Sequence, residues 1–158
     1  MYRKISDFVT DDTLESEKTI AVFSAISDSI LQHRVTEKSF SLLESANHIT
    51  HAIIRIGSQL GFVNTPQFQS CLNAPSSITI SEVIRDYRTI TSHLIDEVKS
   101  LASDLSLEEI KSVYGFNWSV GHGLFVLVKH EIHHRAQIIV ALRLLGLGVP
   151  DVYGPARK

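Results

Sequence analysis

Three imidazoles fall within five residues of one another in the run Lys129-His130-Glu131-Ile132-His133-His134-Arg135-Ala136-Gln137, inside an otherwise apolar stretch. On a helix of 3.6 residues per turn, positions four apart differ by about 40°, so His130 and His134 project from one face toward a common point. Neutral imidazoles at that spacing can chelate a divalent ion. Val126, Leu127, Ala141 and Leu145 flank them on the same face, which predicts rings that point into the protein. His133, rotated about 100° from His134, reads as a flanking residue that supports a ligand from behind. Catalytic zinc sites usually carry three protein groups plus water, so the pair requires a third ligand.

His48 and His51, on a second amphipathic segment, are the candidates. Ile49, Ile53, Ile56 and Leu60 define the apolar direction of that segment; His48 borders it and His51 lies almost opposite. The angles favour His48 as the third ligand and leave His51 in solvent. Around the pair, Glu131 and Gln137 are the candidate catalytic residues. Glu131 would serve as an acceptor or base behind a ligand, and Gln137, about 20° from His130 on the helical wheel, would orient a ligand or a bound water. Arg135 is expected to pair with a carboxylate elsewhere.

Two other metal patterns touch the same run. His130-Glu131-Ile132-His133-His134 satisfies H-E-x-x-H literally, but a protease of that type needs a further ligand downstream, and no Glu or His follows His134. Glu131-x-x-His134 matches half of a di-iron bundle pattern, which wants a second Glu-x-x-His and two more inward glutamates. No second copy occurs. His93 and His122 lack paired geometry and read as structural.

The elements that must position these side chains are helical. Apolar residues at helical spacing predict a first helix over 13–32, with Asp11 and Asp12 at its start and a solvated polar face. A second runs over 39–60 and ends at Gly61. Pro66, Pro75, Asn64 and Asn73 mark 62–78 as a long connection, a crossover or partial lid. Thr79-Ile80-Ser81-Glu82 is a capping box opening a helix that runs to about 102. A short helix is expected over 106–115, and the last long helix over 119–145, with Gly146 as its cap and Pro150 beyond. Without a β-hairpin signal, the reading is one all-α domain over 1–158, a four-helix bundle.

Composition limits the function classes. With 44% hydrophobic and 20% charged residues the chain is neither disordered nor membrane-like, and a formal net charge of −2 gives no basic footprint for nucleic acid. No apolar run reaches the roughly 18 residues of a spanning helix, and the N-terminus has no secretory pattern. The single cysteine, Cys71, forms no intrachain disulfide and reads as a free half-buried thiol. The expected compartment is the cytoplasm, without nucleic-acid or membrane partners.

The stretch from His130 through His133-His134-Arg135-Ala136-Gln137, followed by Leu142-Arg143-Leu144-Leu145-Gly146 and Pro150, closely resembles the C-terminal signature of the DinB-like superfamily, H-x-x-x-H-R-G-Q followed by L-R-x-x-G. Glu44-Ser45-Ala46-Asn47-His48-Ile49 resembles the family's second-helix element, in which Asn-His-hydrophobic supplies the first ligand. Ala136 departs from the pattern, standing where glycine is usual. The resemblance implies an up-down-down-up bundle with a divalent ion, commonly zinc or nickel, on His48, His130 and His134, the residues also favoured by the angles. It further implies frequent dimers and a metal-dependent enzyme acting on a small-molecule substrate, either a thiol S-transferase or isomerase using a low-molecular-weight thiol, or a hydrolase. The alternative is a non-catalytic bundle with a structural metal or a partner-binding role. Phe125, Val128, Ile132 and Ile139 form a second apolar stripe on the last helix, which predicts a homodimer packed through it.

Overall fold

The computed structural model describes residues 1–72 and 78–155. Its long helices are α1 (Ile5–Ser24), α2 (Leu42–Leu60), α4 (Ile80–Lys99) and α5 (Val120–Leu144), with a short α3 (Pro66–Cys71) between α2 and α4. Part of the expected 62–78 connection, including Asn73 and Pro75, lies outside the described residues.

Local sequence sets most of the helix ends. Ser41 caps α2 with Glu44 reaching back, and Thr79 caps α4 with Glu82 doing the same, so each capping box satisfies two free backbone N–H groups. Gly61 ends α2 in the left-handed region at φ 104°, where a Cβ would be strained. Ser119 caps α5 by accepting from the His122 amide. In α1 the expectation fails at both ends. Asp11 and Asp12 lie in mid-helix, and the polar face read as solvated holds buried Asp12, Glu15, Ser16 and Thr19. The reason is Arg135, which enters from α5 and makes that face an interior one.

Cross-helix contacts fix the direction of each helix. Tyr2 N–H donates to the Gly121 carbonyl and Thr19 bonds Glu131, so α1 and α5 run parallel. Phe23 packs on Tyr87 and the Ile80 amide reaches Asp28, so α4 runs against α1. His48 meets His130 while Leu60 lies against Gly123, so α2 runs against α5. Up, down, down and up is therefore the order, with α1 and α2 on opposite corners. One apolar core runs through the bundle, with Phe8, Phe23, Ile54, Tyr87, Ile90 and Leu124 fully buried. Each such side chain contributes roughly 1.5–3 kcal/mol through burial.

The expected short helix over 106–115 is a different structure. A 3-10 turn (Asp104–Glu108) leads into an antiparallel hairpin, β1 (Ile110–Val113) and β2 (Phe116–Ser119), with Val113 paired to Phe116. Tyr114 and Gly115 between them have φ of 51° and 82°, the pair of positive values that a two-residue type I′ turn demands. The tip is pinned to α2 where the Tyr114 amide donates to Gln59 Oε1 at 2.7 Å.

The second apolar stripe of α5 is partly consumed within the chain. Val128 is in the core, Phe125 takes an edge-to-face contact from Tyr2, and Ile132 and Ile139 are half-buried near Val152 and Tyr153.

Candidate metal centre

His48 stands in the second turn of α2 at the border of its buried face, and His130 and His134 are one turn apart on α5. Because α2 packs antiparallel on α5, the three rings meet in the groove between these helices. Nε2 of His48 and Nε2 of His130 are 3.2 Å apart, and one ring nitrogen from each of the three lies within 4.8 Å of the others. An ion about 2.0–2.1 Å from each imidazole nitrogen separates tetrahedral ligand atoms by about 3.3 Å, so small side-chain shifts close this set around a metal.

The environment keeps these rings uncharged, as ligands must be. Burial drives His130 down to about 4, assisted by the neighbouring His134, His48 and His133. Burial also lowers His48, with His134 and Arg55 acting in the same direction, and lowers His134 against the opposing hydrogen bond from Gln137. Gln137 Oε1 lies 2.9 Å from His134 Nδ1, so Nδ1–H donates to it and Nε2 is left free for a ligand role. The Gln137 amide faces His133 Nε2 at 3.0 Å. His133 thus stands behind His134 as a support, matching its rotated position on the wheel. Phe40 packs on the His48 ring with centroids 5.4 Å apart. His130 Nδ1 is buried without a hydrogen-bond partner among the described residues.

Glu131 does not join this group. It is turned into the bundle, where Oε1 accepts from the hydroxyls of Thr19 at 2.6 Å and Tyr87 at 2.7 Å. Burial raises its pKa while those two hydrogen bonds oppose the rise. A glutamate aimed away from the imidazoles cannot activate a water there, which removes the geometric basis of the H-E-x-x-H reading. Arg135 finds the carboxylate expected for it. Its guanidinium, fully buried, pairs with Glu15 and bonds Thr19 Oγ1 and Tyr153 Oη. His51 is not free in solvent; its Nε2 lies 2.9 Å from the Cys71 carbonyl. His93 contacts Phe68 and Glu97, His122 meets Trp118 edge-to-face, and Cys71 is a half-buried thiol whose pKa burial raises.

The groove widens on both sides of the imidazoles. Toward the start of α2, a cavity of about 610 Å³ is bordered by Phe40, Lys38, His133, His134 and Gln137. Toward the hairpin, one of about 250 Å³ is bordered by His48, His130, His51, Arg55, Tyr114 and Trp118. The hairpin's contribution has one sequence signal, Tyr114-Gly115 between β-favouring residues; a two-residue turn of Tyr-Gly is an unusual I′ pair and reads poorly without the structure.

The chain is similar to known proteins along nearly its whole length. The chain is 27% identical over 159 residues to the uncharacterized protein YrdA of Bacillus subtilis strain 168, covering all of this chain and 93% of that one. A DinB-like protein from Bacillus cereus ATCC 10987, whose crystal structure is known, is 28% identical, with a TM-score of 0.85 over 97% of this chain and 100% of the other. The DinB-like protein YjoA of B. subtilis (18% identical, TM-score 0.72, covering 95% and 99% of the two chains) shares the fold. So does a protein from Exiguobacterium sibiricum 255-15 ascribed to the DinB family (17%, TM-score 0.69, 96% and 97%). The DinB family model matches residues 1–158, and with the up-down-down-up bundle and the three converging histidines it establishes that this chain belongs to the DinB family.

Proposed function

We propose that His48, His130 and His134 hold a divalent metal ion, zinc or nickel, and that the chain is a metal-dependent enzyme of the thiol S-transferase or hydrolase type acting on a small molecule. The observation that carries this reading is the convergence of three uncharged imidazoles, each offering a nitrogen within 4.8 Å of the others, at the junction of two cavities. A bound divalent ion with an open position lowers the pKa of a coordinated thiol or water toward neutrality.

The chain's own residues do the rest. Gln137 fixes the tautomer of His134 and ties it to His133. Phe40 restrains His48. The larger cavity has the size of a ligand pocket for a low-molecular-weight thiol or its acceptor, with Lys38 at its edge to receive a carboxylate. Glu131 takes no direct part, so of the two candidate catalytic residues Gln137 remains, as a group that orients. The compartment is the cytoplasm. The assembly is a homodimer packed through the outer side of α5, where Ile132 and Ile139 are half-buried and Val140 and Leu144 are exposed; a monomer by light scattering at micromolar concentration removes that part.

Metal content of untagged protein, measured by elemental mass spectrometry for wild type and His130→Ala, tests the reading. Near-stoichiometric metal that is lost in the variant supports it, and thiol-transfer and hydrolase assays then separate the two chemistries. No metal after reconstitution overturns it. Metal without any turnover points to an ion that braces the bundle.

A further inference from the structure

The 250 Å³ cavity on the hairpin side of the imidazoles has a composition of its own. Arg55 is the one permanently charged residue lining it, and no carboxylate lines it. Arg55 lies two turns beyond His48 on α2, with its side chain exposed and without an ion pair or hydrogen bond among the described residues. Arg55 borders the same cavity as His48 and His51. A guanidinium without an ion pair among the described residues, on a cavity that no carboxylate lines, suits an anionic ligand.

The opposite wall comes from the hairpin. Tyr114 occupies a left-handed position at φ 51°, where Asn or Gly is usual in a type I′ turn and a bulky residue is strained. Asn or Gly would satisfy the turn without that strain. What tyrosine adds at the tip is a ring at the cavity edge, beside Trp118 from β2. The Tyr114 amide on Gln59 fixes the backbone of the tip, and so the point from which the tyrosine side chain leaves it.

Building on the metal-site reading above, we propose that this cavity is a subsite for the carboxylate-bearing, planar part of a small organic ligand. Its carboxylate is held by the Arg55 fork, its flat body lies against Tyr114 and Trp118, and its far end is directed at His48 and His130. Guanidinium pairs with carboxylate through two parallel hydrogen bonds, and aromatic walls favour a planar partner. A volume just below the roughly 300–1,000 Å³ of drug-sized sites limits the occupant to about the size of a substituted benzoate. The larger cavity beyond His134 is then left for the second reactant, with the imidazoles between the two.

Trp118 is the only tryptophan in the chain and reports on this cavity directly. The test is a titration of the metal-free full chain with benzoate, and with the neutral isostere benzamide, followed by Trp118 emission in wild type, Arg55→Ala, Arg55→Lys and Tyr114→Asn. Saturable quenching by benzoate is expected, with a Kd of about 1 mM or tighter. Benzamide and Arg55→Ala should each weaken it at least about tenfold, with Arg55→Lys intermediate. Tyr114→Asn, which suits the turn, should raise Tm while weakening benzoate binding. Absence of saturation, equal binding of benzamide, or unchanged affinity in folded Arg55→Ala overturns the proposal. Zinc content of the same preparations separates the two readings. Zinc uptake without benzoate binding sinks the subsite alone, whereas benzoate binding in protein that takes no zinc sinks the metal reading alone.

Discussion

His134 donates its Nδ1–H to Oε1 of Gln137 at 2.9 Å, one helical turn further along α5. Hydrogen bonds of this kind set the tautomer and ring orientation of ligating histidines, and their loss typically costs 10–100-fold in metal affinity. Gln137→Leu is expected to weaken zinc binding by about that factor, read by competition with a chromophoric chelator. Gln137→Glu, which keeps the acceptor, should retain most of the affinity. Equal affinity in the leucine variant would show that the bond does not orient the ligand.

The imidazoles also predict a pH dependence for the metal-free protein. His130 titrates near 6.5 when unfolded and is pushed down to about 4 in the fold by burial and its histidine neighbours. Between these values the unfolded chain binds more protons than the folded one, so stability falls as pH drops from about 6.5 to about 4. His48 and His134, also lowered, add to the same slope. Urea unfolding across that range should show the decline, and His130→Phe should flatten it. A wild-type slope retained in the variant assigns the effect to other groups.

Asp12 acts with the opposite sign. It is buried on α1 with Oδ2 unpartnered among the described residues, and burial followed by the charge of Glu131 raises its pKa well above the ordinary carboxylate value. Above 3.8 the folded protein holds a proton that the unfolded chain releases, so this residue subtracts stability as pH rises. Asp12→Asn resembles the protonated acid and does not titrate. It should stabilise the protein by about 1–2 kcal/mol at pH 8, a Tm gain of about 2–8 °C, with little gain at pH 4. A loss at pH 8 would mean that the carboxylate has a partner it needs.

Arg135 is the largest fully buried side chain, held by Glu15, Thr19 and Tyr153. Removing one member of a buried ion pair strands the other, at a cost of about 3–5 kcal/mol. Arg135→Ala should therefore unfold the protein or lower Tm by roughly 10 °C or more. Tyr153→Phe, which removes the hydroxyl shared with Glu15, should cost about 1 kcal/mol and leave metal content unchanged. Thermal unfolding monitored by circular dichroism, with metal analysis on the same samples, decides both.

The three-histidine cluster was legible because its signals are local and periodic. A four-residue spacing put His130 and His134 on one face, and the apolar stripe of α2 singled out His48. The same wheel argument applied to Glu131 would have turned it about 100° from His130, toward α1, where the structure has it. The capping boxes at Ser41 and Thr79 were equally readable, since each is complete within four residues. The start of α1 was not, because Asp11 and Asp12 look like N-terminal acids and only the distant Arg135 reveals the face as interior. The hairpin was missed because Tyr114 fills a turn position where the sequence signal depends on Asn or Gly.

His48 and His130 are separated by 82 residues, and α5 is the last helix of the chain. During synthesis α2 leaves the ribosome with one of the three converging imidazoles and without the other two. His130 follows those 82 residues later, and the α5 pair faces His48 only after α2 and α5 have packed. An ion held by all three histidines would therefore be captured only once α2 and α5 have come together. A chain stalled or truncated before α5 would keep its capping boxes and part of its core but would carry only one of the three converging imidazoles.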